Sequence, residues 1–173
     1  MTLPRLNELP GTLRHLFTAF LVVAAAGYFL GAFFVEHTTR LEPDGVVERF
    51  KGTEAMGYDL DELPADRELQ YEKSKTDILN ITHTHVLALA MLFLLTGIIF
   101  AFTTVLPSWL KTVFLIEPFL SIILTFGGMW GLRYHADWWT IVIAVSGTFM
   151  TLSFSVMVLV SLYELWRKPV PIP

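Results

Sequence analysis

Asn80-Ile81-Thr82-His83-Thr84-His85-Val86-Leu87-Ala88-Leu89-Ala90-Met91 opens an apolar run that no charge interrupts before Leu106. About 20 consecutive apolar residues suffice to cross the hydrocarbon of a bilayer as a helix. Leu106-Pro107-Ser108 leaves room only for a tight turn, so the next run, Trp109 to Leu132, must return antiparallel beside the first. Arg133-Tyr134-His135-Ala136-Asp137 is a second short connection, and Trp138 to Leu165 is the run that follows it. Upstream, His15 to Val35 is another stretch of span length. A cleaved signal peptide is the competing reading there, since Arg5 and Arg14 precede the run and Ala24-Ala25-Ala26 offers small residues. Apolar or small residues continue from Gly27 to Val35, which favours a span. The expected fold is an all-α membrane protein: one domain over 1–173, a four-transmembrane-helix up-down-up-down bundle with spans near 15–35, 81–105, 109–132 and 138–165.

Composition agrees. The chain has 173 residues, 54% hydrophobic and 16% charged, against about 25% charged in a soluble domain. Net charge is −4 and no Lys/Arg-rich tract appears, so nucleic acid is not an expected partner. Cysteine is absent, which removes disulfides, thiolate metal sites and covalent haem attachment.

Residues 36–77 are polar and predominantly acidic, too short and too poor in apolar side chains for a separate core. They read as an outer cap over one end of the bundle. Pro43-Asp44-Gly45 is a turn signal between Thr39–Leu41 and Val46–Phe50, which predicts a small hairpin, and Pro64 to Asn80 has helix-compatible composition. Arg5, Arg14, Lys111, Arg167 and Lys168 mark the opposite end. By the positive-inside rule both termini are expected in the cytoplasm of a bacterial inner membrane, with the cap outside.

Histidine is costly beside hydrocarbon and a common ligand of haem iron and other metals. His37, His83, His85 and His135 all fall at the cap end, and His15 alone at the other. The four are a candidate transition-metal site. On a continuous helix His83 and His85 point about 200° apart, so only one of them faces the interior. His85 is the better interior candidate.

Gly27 and Gly31 in the first run, and Gly127, Gly128 and Gly131 in the third, lie at the histidine level. Such glycines serve close helix packing. They also leave room for a flat macrocycle, so Gly31, Gly127 and Gly131 are candidate haem-pocket positions. His85 with His135 or His37 are then the candidate axial ligands of haem b, and Arg133 a candidate partner for a propionate. The His-Thr-His opening of an apolar helix, His83 to His85, resembles helices of membrane b-type cytochromes and of small haem-copper-oxidase-like membrane proteins. That resemblance implies a redox subunit passing electrons between a quinol and a periplasmic partner, which would dock on the acidic cap. The pattern of paired histidines at two depths, typical of two-haem cytochromes, is absent.

Glu117 stands about one-third of the way into the third span, beside Pro118. Intramembrane carboxyl groups belong by default to proton paths or ligand contacts, so Glu117 is the candidate catalytic residue. Contact with Lys111 is the structural alternative, and Ser146, Thr148, Thr151, Ser153 and Ser155 in the fourth span are possible partners. Two further functions stay open beside the haem protein. One is a membrane protein holding a metal with its four outer histidines; the other is a cofactor-free accessory subunit of a larger membrane complex, in contact with lipid and with other subunits.

Overall fold

A computed structural model of the chain describes residues 5–57 and 69–168. Among these it is all-helical, with four helices long and apolar enough to cross a membrane. They are α1 (Gly11–Thr39), α3 (Lys75–Ala101), α4 (Ser108–Tyr134) and α5 (Trp139–Trp166), with a short α2 (Pro43–Lys51) between the first two. The chain is an integral membrane protein, and the expected four-helix bundle is present.

α4 and α5 form the tightest pair, α3 lies against both, and α1 packs on α2 and, among the other spans, mainly on α5. The core is aromatic and sulfur-rich: Phe93, Phe100, Phe126, Phe154, Met129 and Met157 are all buried. α1 contributes Leu21, fully buried, and Tyr28, which is stacked on Phe154 at 4.3 Å and edge-on to Phe93 at 6.3 Å. At the end carrying the termini, Arg14 Nε donates to the Leu165 carbonyl at 2.8 Å, and Trp166 Nε1 donates to Thr18 Oγ1 at 3.0 Å.

The hairpin predicted around Pro43-Asp44-Gly45 is instead the first turn of α2. Proline is well placed at a helix start, Asp44 complements the positive end of the helix, and Arg49 and Lys51 complement the negative end. Gly45 is needed for closeness rather than for a turn, since a Cβ there would meet the Thr39 carbonyl oxygen at 2.0 Å. Gly52, at φ 91°, ends the helix.

Of the helix expected from Pro64 to Asn80, residues 58–68 lie outside the described residues, and 69–74 are not helical. The latter run beside the end of α2, with Thr53 N–H donating to the Gln70 carbonyl and Lys73 N–H to that of Phe50. α3 starts at Lys75 because Ser74 and Asp77 cap it reciprocally, each side chain accepting from the other's backbone N–H. It ends at Ala101, short of the expected Val105. The buried carboxylate of Glu164 takes the amide N–H groups of Thr104 (2.6 and 2.8 Å) and Val105 (2.5 Å), and so holds the turn open.

Candidate functional site

Among the described residues, Glu117 is the one intramembrane carboxyl set between helices well away from either end. It is half-buried on α4, and both its oxygens are engaged. Ser121, one turn along α4, donates to Oε1, and Ser153 of α5 donates to Oε2. Lys111, the alternative partner, instead donates to the Thr103 carbonyl at 2.8 Å. Glu117 thus has hydroxyls, and no cation, as hydrogen-bond partners. Hydroxyls rotate, and can donate to a carboxylate or accept from a carboxylic acid. The cluster can therefore satisfy either protonation state, which a salt bridge could not do equally well.

Neighbouring hydroxyls extend it. Tyr28 Oη and Thr151 Oγ1 share a hydrogen bond of 3.1 Å, linking α1 to α5 two residues from Ser153. Nearer the cap, Thr125 and Ser146 are joined at 2.7 Å across the α4–α5 seam. Ser153 was among the expected hydroxyl partners; Ser121 and Tyr28 were not. Ser121 was legible as the residue one helical turn beyond Glu117. Nothing in the sequence of α1 singled out Tyr28 except a phenol within an apolar run. Glu164 was likewise missed, because a carboxylate near the end of a span reads as a surface charge.

The four outer histidines share one end of the bundle but do not converge. All are exposed. His37 stacks on Phe33 of its own helix at 6.3 Å. His85 Nδ1 is bonded to the Ile81 carbonyl at 2.9 Å and its ring lies 5.8 Å from Phe126. His83 lies two residues before it on the same helix, and His135 is the residue that ends α4. Trp130 Nε1 donates to Thr82 Oγ1 at 3.0 Å, which fixes the relative level of α3 and α4. From that level His85 lies three residues one way and His135 five the other, an axial separation of about 12 Å at the helical rise. Both rings are exposed at the bundle surface, so they do not face one another across an internal space. Among the described residues no group of three or more His, Asp or Glu side chains is arranged to hold a metal ion.

Gly131 and Arg133 are otherwise engaged, and Gly31 and Gly127 face open space. A Cβ on Gly131 would meet the Trp139 indole at 2.4 Å, and one on Gly128 would meet Ile143 Cγ1 at 2.9 Å. α5 side chains therefore fill the space beside Gly128 and Gly131. Gly31 and Gly127 have nothing within 4 Å and line no internal gap. Arg133 pairs with Glu72 and donates to the Lys73 carbonyl at 2.9 Å, fastening the cap to α4 instead of waiting for a propionate. These residues do not fit a haem pocket within the chain.

Neither the curated proteins nor the solved structures include a match to the chain. One family model does match, over residues 40–171, which takes in most of the cap, α3, α4 and α5 and well over half of the sequence. The chain accordingly belongs to the family described as a transmembrane helical domain, Aq_1264_TM.

Proposed function

We propose that the chain is a subunit of a larger membrane assembly and that Glu117 takes up and releases a proton within the bilayer. The observation that carries this reading is the pair of serine hydroxyls, one from each of two helices, on the two oxygens of Glu117. An ionised carboxylate in hydrocarbon is costly, and such groups are retained mainly where they move protons or bind ligands. The basic residues at the terminal end support an orientation with both termini cytoplasmic in a bacterial inner membrane. An acidic cap on the outside would then meet a basic periplasmic partner. A quinone is the class of co-reactant whose chemistry would need such a proton. An electron route through a haem on His85 is not part of this reading, since its ring is exposed at the bundle surface and Trp139 fills the space at Gly131.

The test needs no known substrate. A hydrophobic carbodiimide reacts with protonated carboxyl groups inside membranes. In the reconstituted chain it should modify Glu117, more slowly as pH rises, with the adduct located by mass spectrometry and missing in Glu117→Gln. Absence of the adduct at every pH would reduce Glu117 to a packing device between α4 and α5.

A further inference from the structure

The two ends of the bundle treat their cations differently. At the cap end Lys51 pairs with Asp137 at 2.6 Å, Arg40 with Glu48 at 3.2 Å, and Arg133 with Glu72. At the terminal end, among the described residues, no carboxylate pairs with Arg5, Arg14, Lys111, Arg167 or Lys168. The two acids there are already engaged. Glu164 is buried on the amides of Thr104 and Val105, and Glu8 accepts from the Arg5 backbone N–H at 3.2 Å. Arg14 lies over the Trp166 ring at 4.7 Å, and Lys111 is bonded to the Thr103 carbonyl. Arg5, Arg167 and Lys168 remain exposed, with no carboxylate of the described residues in ion-pair contact.

Two of these three line one cleft. Arg5, Asn7, Thr104, Glu164 and Arg167 form its wall. Arg5 is brought there because Leu6, in the Leu6–Glu8 turn, is fully buried in the bundle, and Asn7 Nδ2 reaches the Arg167 carbonyl at 3.5 Å. Trp109 and Trp166 are exposed at the same end, and indoles in a span end settle at the headgroup level. The cleft therefore lies where lipid phosphates lie. A guanidinium presents a planar fork of N–H donors matched to phosphate oxygens.

We infer that Arg5 and Arg167 together hold the phosphate of an anionic lipid headgroup. Glu164 does not forbid it, because its charge already faces two amide donors. Zwitterionic lipids carry a compensating cation next to their phosphate and are the weaker ligands. This inference is independent of the role of Glu117.

The test is lipid retention by the full chain from mixed phosphatidylglycerol and phosphatidylcholine vesicles, read by native mass spectrometry after extraction into mild detergent. Each surface cation contributes about five-fold to binding of an anionic membrane. Wild type should prefer phosphatidylglycerol, and the double variant R5Q/R167Q should lose about twenty-five-fold of that preference. R5K/R167K keeps the charge without the planar fork and should fall between wild type and R5Q/R167Q, and circular dichroism confirms that each variant is folded. Equal retention of the two lipids by wild type, or an unchanged preference in folded R5Q/R167Q, would overturn the inference. Inorganic phosphate binding to lipid-free protein, with no lipid retained, would overturn it in favour of a soluble anion.

Discussion

Closely spaced glycines occur on both α4 and α1, and Gly128 and Gly131 of α4 meet the opposite fate from Gly27 and Gly31 of α1. On α4, Gly128 and Gly131 are buried under Ile143 and Trp139 of α5. On α1, Gly27 and Gly31 form the four-residue spacing usual at helix contacts, yet nothing lies within 4 Å of either. The whole of α1 shares this openness: 6% of its apolar window is buried in the chain, against 33% for α4 and for α5. Small residues on a membrane helix thus permit close approach without choosing the partner. In α4 and α5 a short connection makes the choice, because it forces the helices side by side. α1 is separated from α3 by the cap and is free to sit elsewhere, held by Tyr28 and by the Arg14 and Trp166 contacts at its start.

The largest effect expected is from Gly131→Ala, which would drive a methyl group into the Trp139 ring. Overpacking of this kind costs about 1–3 kcal/mol. Unfolding of the purified chain in mixed detergent and denaturing surfactant should show that loss. Trp130→Phe removes the hydrogen bond to Thr82 while keeping an aromatic ring, and should cost about 0.6 kcal/mol in the same assay, the average for such bonds in a membrane. Smallest are Gly27→Ala and Gly31→Ala, which should stay within about 0.5 kcal/mol of wild type. A loss at Gly27 comparable to that at Gly131 would break the comparison, for it would mean that α1 is covered by a neighbour.

The four spans were legible because long uncharged runs have few alternatives, and the two short connections fixed antiparallel order. The same logic reaches part of the site. A connection centred on His135 places Glu117, eighteen residues before it, opposite Ser153, eighteen residues after it. What the sequence left open was rotation. Four histidines could be assigned to one end from chain position alone, but whether they face each other depends on how each helix turns about its axis. The packing of Trp139 on Gly131 and of Ile143 on Gly128 settles that for α4, and the settlement gives the glycine space to α5. The misread hairpin has a local cause: Pro-Asp-Gly opens a turn or a helix equally well, and the close approach of Gly45 to Thr39 selects the helix.

The central claim, that Glu117 gains and loses a proton inside the membrane, is tested most directly by infrared difference spectroscopy on the reconstituted chain between alkaline and acidic buffer. The account predicts a carboxylic C=O stretch that grows on acidification and disappears in Glu117→Gln, with the helical amide bands of that variant unchanged. A spectrum without that band, or one in which the band survives the substitution, would contradict it.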